Sequence, residues 1–119
     1  MSKKVLVVDD DPVVLKLVKS RLEANQYEVT TASDGDEGLQ KLKTQKPDLI
    51  ILDVEMPRMD GYTFVVELKK HDDLKNIPII ILTAKEHLKD LFKLEGIRDY
   101  IVKPFKAEKF LETVKKYLA

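Results

Sequence analysis

Short apolar runs alternate with longer amphipathic segments along the chain. Three runs of four apolar residues, at 5–8, 49–52 and 79–82, are continuous, which is typical of strands buried on both faces of a parallel sheet. Two weaker runs, at 28–31 and 99–102, predict two further strands. The hydrophobic pattern therefore predicts a sheet of five strands.

Apolar residues at helical spacing follow each predicted strand. They predict helices at 12–24, 36–44, 61–71, 87–95 and 107–118. The apolar positions of these helices include Val18, Leu42, Phe64, Leu91, Phe92 and Phe110. Strands that alternate with helices in this way form an open, doubly wound α/β sheet with helices on both faces. The predicted element order is (βα)5.

Length and composition limit the classes of function. A chain of 119 residues is expected to form one domain, 1–119. The 21 basic and 21 acidic residues balance, so neither nucleic acid nor a membrane is expected as a direct partner. The absence of cysteine excludes disulfides and thiolate metal sites. With no signal peptide at the start and no apolar run long enough to cross a bilayer, a cytoplasmic protein is expected.

Residues with reactive or charged side chains follow four of the predicted strands. Asp9 and Asp10 follow the first strand, Asp53 the third, Thr83 the fourth and Lys103 the fifth. Ligands of open parallel sheets bind beyond these carboxyl ends. Because the packing of helices on a sheet requires none of these residue types there, the pattern predicts a functional site.

Three clustered carboxylates cannot all stay ionised without cations. Lys103 supplies one positive charge, and Mg²⁺ suits a site with few carboxylates, some waters and an incoming phosphate. A carboxylate held beside Mg²⁺ and a lysine stays ionised and can act as a nucleophile. The predicted site therefore fits the formation of an aspartyl phosphate.

The three consecutive aspartates at 9–11 have different predicted roles. Asp11 precedes Pro12, which favours the first helical position, so Asp11 is interpreted as a helix N-cap rather than a metal ligand. Asp10 is interpreted as the direct metal ligand, and Asp9 either as a residue that supports the ligands without binding the metal or as a ligand through water. Asp60, followed by a glycine, is interpreted as a second N-cap.

Five motifs stand at the strand ends in a fixed order. They are VVDDDP (7–12), SDGDEGL (33–39), PDLIILDVEMPRMDG (47–61), ILTA (81–84) and DYIVKPF (99–105). Each motif is weak by itself, but together they cover essentially the whole chain. In this combination the sequence resembles the receiver domains of two-component response regulators. The resemblance implies a flavodoxin-like sheet with the strand order 2-1-3-4-5.

The resemblance also implies a phosphorylation chemistry. Asp53 would accept a phosphoryl group from a sensor histidine kinase or a phosphotransfer protein. Mg²⁺ would be held by Asp10, Asp53 and the backbone carbonyl of Glu55, with Asp9 acting through water. The chain would catalyse only its own phosphorylation and dephosphorylation, and so would not be an enzyme in the usual sense.

Further implied roles concern the switch. Lys103 would bond to phosphoryl oxygens, Thr83 would move towards them, and Tyr100 would turn inward. The peptide bond between Lys103 and Pro104 would be cis. The fourth helix, fifth strand and fifth helix would form the output surface, which would act on a downstream protein or a covalently linked output domain.

Two features distinguish this chain from the usual receiver pattern. The segment between Thr83 and the GIRDY stretch (96–100) is about two residues shorter than usual, which alters the predicted output surface. Glu55 and Lys85 each lie two residues beyond a predicted site residue. We expect them to pair across the mouth of the site and to affect the rate of dephosphorylation.

Two other functions compete with the phosphoacceptor interpretation. The first is a Mg²⁺-dependent phosphatase of the haloacid dehalogenase type, which has an acid two residues after its nucleophile, as Glu55 is after Asp53. Such enzymes need a cap domain, for which 119 residues leave no room. The second is a flavodoxin-like module that binds proteins without being phosphorylated. The complete set of acids, threonine and lysine argues against it.

Overall fold

Five parallel strands form one sheet in the order β2-β1-β3-β4-β5, which confirms the predicted strand order. The computed structural model describes residues 2–56 and 59–118, so Pro57 and Arg58 of the PDLIILDVEMPRMDG motif lie outside the described residues. The strands are β1 (Lys4–Val8), β2 (Glu28–Ala32), β3 (Leu49–Leu52), β4 (Ile79–Thr83) and β5 (Asp99–Val102). Each predicted strand is present, with bounds that differ by at most one residue.

Helices follow the strands in the predicted alternation. They are α1 (Pro12–Ala24), α2 (Gly35–Thr44), α3 (Gly61–Lys69), α4 (Lys89–Lys93) and α5 (Ala107–Leu118). The bounds of α1 and α5 agree with the prediction. None of the helices of the described residues is long and apolar enough to span a membrane.

The fourth helix differs from the prediction of a continuous helix over 87–95. A 3-10 turn, Glu86–Leu88, precedes an α-helix of only 5 residues. Neither segment has a side-chain cap at its N-terminus, and Gly96, at φ +81°, ends the segment in a left-handed conformation. Leu91, predicted as a core position, is 38% exposed, so that prediction was wrong. Phe92 is the residue of α4 that is fully buried.

Aspartate side chains cap three of the helices. The carboxylate of Asp11 accepts a hydrogen bond from the Val13 backbone N–H at 2.9 Å, which confirms the predicted cap of α1. Asp60 caps α3 in the same way, accepting from the Thr63 N–H at 2.8 Å. Asp34 caps α2. Each cap satisfies a backbone donor that has no partner within its helix.

The alternating side chains of the strands form two separate cores. Val5 and Val7 of β1 pack with residues of α1 and α5, whereas Leu6 and Val8 pack with residues of α2, α3 and α4. Because the three inner strands β1, β3 and β4 are covered on both faces, their sequences are continuously apolar rather than alternating. The two cores fix the sheet, and therefore the edge at which the strands end.

The register of the strands brings the polar residues at their ends together. Val8 of β1 is paired with Leu52 of β3, so the next residues, Asp9 and Asp53, are neighbours. Thr83 of β4 pairs with Val102 of β5, and the Lys103 N–H donates to the Thr83 carbonyl at 2.8 Å. The predicted site residues therefore meet at one edge of the sheet.

A close backbone approach at Gly61 joins α3 to this edge. The Gly61 N–H donates to the Val54 carbonyl at 2.8 Å. A Cβ added at Gly61 would lie 2.7 Å from the Val54 Cα and 2.8 Å from the Asp53 carbonyl oxygen. Both neighbours are backbone atoms and cannot move aside without displacing the end of β3.

We expect Gly61→Ala to destabilise the protein by about 1–3 kcal/mol, because the overlap with backbone outweighs the gain in helix propensity. Urea denaturation of the two proteins measures the difference. Thr63→Ala is the matched control, since the Thr63 side chain is exposed on the same helix. Equal stability of Gly61→Ala and the wild type would contradict the close approach.

Candidate functional site

Three carboxylates meet at the carboxyl ends of β1 and β3. Asp9 is 2% exposed and Asp53 is 6% exposed, while Asp10 faces solvent. One carboxylate oxygen from each of the three lies within 4.8 Å of the others. The structure therefore brings together the three acids that the sequence predicted.

Lys103 reaches this cluster from the end of β5. Its Nζ donates to Asp9 Oδ2 at 2.9 Å and lies 4.0 Å from Asp53 Oδ1. The other oxygen of Asp9 accepts the backbone N–H of Asp11 at 2.9 Å. Asp9 is therefore the better compensated of the two buried acids. The Lys103–Pro104 peptide is cis, as the resemblance implied.

The positive charge near Asp53 is too small to compensate for the burial of its carboxylate. Burial, followed by the negative charge of Asp9, raises the pKa of Asp53 from 3.8 to about 6. Lys103, the Glu55 backbone N–H and the Thr83 hydroxyl oppose this shift in pKa but do not cancel it. A buried carboxylate with too little positive charge nearby is a ready acceptor for a cation.

Asp11 is separate from the acid cluster. Its side chain is used as the N-cap of α1, and the group of acids able to hold a metal consists of Asp9, Asp10 and Asp53 within the described part of the chain. The sequence interpretation of Asp11 as a structural cap is thus confirmed. The three adjacent aspartates therefore differ: Asp9 is buried in the acid cluster, Asp10 is a solvent-facing member of it, and Asp11 caps a helix.

Thr83 and Tyr100 contact the same residue of the loop after β4. Thr83 is fully buried, and its Oγ1 accepts the Lys85 backbone N–H at 3.3 Å. The Tyr100 hydroxyl donates to the Lys85 carbonyl. Burial raises the pKa of the Tyr100 hydroxyl, which therefore stays protonated as a donor. Both predicted switch residues are linked through Lys85.

A cluster of three aromatic rings supports Tyr100, and the sequence analysis did not predict it. The rings of Tyr100 and Phe92 are 6.1 Å apart, and Phe92 contacts Tyr62 edge-on at 5.8 Å. Helical spacing marked Phe92 only as a core residue. Its contact with a strand residue depends on how α4 packs, and no local pattern encodes that packing.

The predicted pairing of Glu55 with Lys85 is confirmed. Lys85 Nζ lies 3.7 Å from Glu55 Oε2, and both side chains are about half exposed. Together with Asp10, Asp60 and Leu88, they line an open cleft of about 520 Å³ beside the acid cluster. The effect of this pair on dephosphorylation stays a prediction.

The donor set fits Mg²⁺. The three carboxylates offer hard oxygen ligands, and Asp10 is exposed while Asp53 is buried, so a bound ion would lie between solvent and the sheet. The Glu55 carbonyl, at the start of the next loop, stays a predicted ligand. One divalent ion would also remove the charge deficit of Asp53.

Comparison with known families identifies the chain. Residues 5–115 match the family model of the response regulator receiver domain. The chain belongs to the response regulator receiver domain family. Receiver domains of this family are signalling switches in two-component systems, so the resemblance noted from the motifs is confirmed.

Individual receiver domains are similar over the whole chain. The alkaline phosphatase synthesis transcriptional regulatory protein PhoP of Bacillus subtilis is 43% identical over 120 residues, which cover 99% of this chain and 49% of PhoP. The chain thus spans about half the length of that relative. The chemotaxis protein CheY4 of Vibrio cholerae is similar in structure, with a TM-score of 0.92, 37% identity and coverage of 98% of this chain and 99% of CheY4.

A third similar protein was solved with a bound Mg²⁺ ion. The response regulator TrrA of Thermotoga maritima, solved in complex with Mg²⁺ and beryllium fluoride, has a TM-score of 0.87 and 38% identity, with coverage of 97% of this chain and 98% of TrrA. A receiver domain of the same fold therefore holds Mg²⁺.

The raised pKa of Asp53 predicts a stability that depends on pH in the absence of metal. Between pH 3.8 and about 6 the folded state retains a proton that the unfolded state has lost, so the free energy of unfolding falls as the pH rises. Above about pH 6 the full penalty, up to about 3 kcal/mol, remains. Below pH 3.8 it vanishes, because both states are protonated.

We therefore expect Asp53→Asn to be more stable than the wild type at pH 7.5 in EDTA, and the difference to shrink at pH 4. Urea denaturation at the two pH values measures it. Addition of Mg²⁺ should stabilise the wild type more than the variant. A difference independent of pH would show that Asp53 carries no such penalty.

Proposed function

We propose that this receiver domain is a phosphoacceptor switch in which Asp53 is the residue that is phosphorylated. The observation that carries the proposal is the environment of Asp53. It is buried at a strand end, within 4.8 Å of two other carboxylates, beside Lys103 and Thr83, and lacks full charge compensation. Such a carboxylate gains most from cations and donors that also bind a phosphoryl group.

The proposed chemistry is transfer of a phosphoryl group to Asp53. A carboxylate oxygen attacks phosphorus, the bond from phosphorus to the donor histidine nitrogen breaks, and the electron pair stays on that nitrogen. Lys103 and Thr83 donate hydrogen bonds to the phosphoryl oxygens. Mg²⁺, held by Asp10, Asp53 and the Glu55 carbonyl and by Asp9 through water, would neutralise charge on the transferring group.

Hydrolysis of the aspartyl phosphate ends the signal. Water attacks phosphorus, the bond to the Asp53 oxygen breaks, and the carboxylate leaves with the electron pair while the proton of water passes to phosphate or solvent. The chain thus acts on its own phosphoryl group rather than on a released substrate. Residues 1–119 form one such module in this proposal, either alone or as the receiver half of a longer regulator.

The proposed output is a population shift at the surface of α4, β5 and α5. Phosphorylation replaces the single negative charge of the Asp53 carboxylate with a doubly charged phosphoryl group that carries three acceptor oxygens. The Thr83 hydroxyl bonds to Asp53, and hydrogen bonds through residue 85 connect Thr83 to Tyr100. The helix α4 has only 5 residues, and Leu91 on it and Leu94 directly after it are 38% and 82% exposed. This altered surface would act on a downstream protein or a linked output domain.

The direct test is the intact mass after incubation with acetyl phosphate. We expect one hydroxylamine-sensitive phosphoryl group that requires both Mg²⁺ and Asp53, with none on Asp53→Asn. Asp11→Asn is the matched control, because it removes the same charge from an aspartate that only caps α1. If the wild type forms no adduct and also does not bind beryllofluoride, the result favours the alternative function, a flavodoxin-like module that binds proteins without being phosphorylated.

A protein phosphodonor also needs a surface next to the site. Val13 and Leu17 on α1 are 72% and 49% exposed. Leu17 also lines an apolar cleft of about 260 Å³ with Lys103, Pro104 and Phe105, and Lys103 belongs to the phosphorylation site as well. This continuity supports the docking of a sensor kinase or phosphotransfer protein on α1.

We expect Leu17→Glu to slow phosphotransfer from a sensor kinase by about tenfold or more, since it places an unpaired charge in an apolar contact. Phosphotransfer to the wild type is measured at short times from each autophosphorylated sensor kinase of the source organism. The kinase that transfers fastest is the donor for the test. Acetyl phosphate should label Leu17→Glu at the wild-type rate. Equal slowing with both donors would show damage to the site rather than loss of docking.

A further inference from the structure

One residue in the loop after β4 joins three parts of the site. The Lys85 N–H donates to Thr83 Oγ1 at 3.3 Å, and its carbonyl accepts the Tyr100 hydroxyl. Its Nζ lies 3.7 Å from Glu55 Oε2. The backbone of Lys85 is therefore held by both switch residues, while its side chain crosses to the loop that follows Asp53.

The ion pair at the end of this side chain can change partners. The side chains of Lys85 and Glu55 are 42% and 54% exposed, and an ion pair in that environment contributes little to stability. Lys85 is the cationic residue among the described residues that line the cleft beside the acid cluster. It is therefore a mobile positive charge at the mouth of the site.

The second cation near Asp53 is less free. Lys103 is bonded to Asp9 at 2.9 Å and lies 4.0 Å from Asp53. Asp9 needs this lysine, because it is 2% exposed and charged partners lower the cost of its burial. Phosphorylation would replace the single negative charge of Asp53 with the two charges of a phosphoryl group, where Lys103 is already shared with Asp9.

We propose that the ammonium of Lys85 exchanges Glu55 for the phosphoryl group when Asp53 is phosphorylated. This inference builds on the proposed function and adds a phosphoryl-binding residue to it. A doubly charged group competes well against a single half-exposed carboxylate for the same lysine. In the unphosphorylated state, Glu55 keeps the lysine at the mouth of the site.

The exchange also couples the site to Tyr100. The Thr83 hydroxyl can donate to a phosphoryl oxygen while its oxygen still accepts the Lys85 N–H. The ammonium of Lys85 then contacts the phosphoryl group directly, and its N–H is linked to that group through the Thr83 hydroxyl. Since the carbonyl of that residue holds the Tyr100 hydroxyl, a shift of Lys85 changes the position of the tyrosine as well.

The test uses Mg²⁺ with beryllofluoride as the phosphoryl analogue, and fluorine NMR of the bound form gives the dissociation constant. We expect Lys85→Ala to weaken binding by about 3- to 10-fold, as for the loss of one charge-assisted contact, and Lys85→Arg to retain it. Glu55→Gln should tighten binding, because it releases the lysine. The two substitutions thus have opposite signs, which a purely structural ion pair would not produce.

The double variant separates the exchange from a general effect of charge. In the Lys85→Ala background, Glu55→Gln should have no further effect, since there is no lysine to release. If it still tightens binding there, or if Lys85→Ala binds like the wild type, the exchange is wrong. Lys93→Ala, on the exposed side of α4, is the matched control and should bind like the wild type. The proposed function is judged separately, by acetyl phosphate labelling of the wild type.

Discussion

Repulsion between buried carboxylates is the constraint around which this molecule is arranged. Asp9 and Asp53 end neighbouring strands and are both almost fully removed from solvent. A lysine 94 residues away along the chain from Asp9 supplies the cation that makes this tolerable. The positive charge of this lysine does not fully compensate both carboxylates, and the pKa of Asp53 is therefore raised to about 6. The folded chain therefore holds one carboxylate that is stabilised by whatever brings positive charge to it.

The scaffold keeps this unfavourable arrangement in place. Two apolar cores, one on each face of the sheet, fix the register of β1 against β3 and so fix the separation of their terminal aspartates. The Gly61 backbone closes against the residues that follow β3 without room for a side chain. Burial of continuous apolar strands thus supplies the free energy that offsets the strained electrostatics at one edge.

Rigidity is unevenly distributed around the site. The acids stand at the ends of fully buried strands, whereas Thr83 and Tyr100 are linked through a loop and a helix of 5 residues with no side-chain cap. Few backbone hydrogen bonds hold such a segment, so it can change conformation at low cost. The division suits a switch, in which the chemistry needs fixed groups and the output needs a movable one.

The sequence by itself determined the strands, the long helices α1 and α5, the caps at Asp11 and Asp60, and which residues stand at the strand ends. These features depend on local patterns: continuous apolar runs, helical spacing and the preference of aspartate for helix N-termini. Spacing also pointed to Glu55 and Lys85 as a pair. The limits of the fourth helix were predicted wrongly, since helical spacing does not reveal where caps are missing.

Only the tertiary structure decided how charge is shared. In the folded chain Lys103 bonds to Asp9 rather than to Asp53, and the Tyr100 hydroxyl donates to the Lys85 carbonyl. Phe92 packs between the rings of Tyr62 and Tyr100. Each of these contacts joins residues of different structural elements, and its geometry depends on sheet register and helix packing together. Burial and the distance between charges, which set the pKa of Asp53, exist only once the chain is folded.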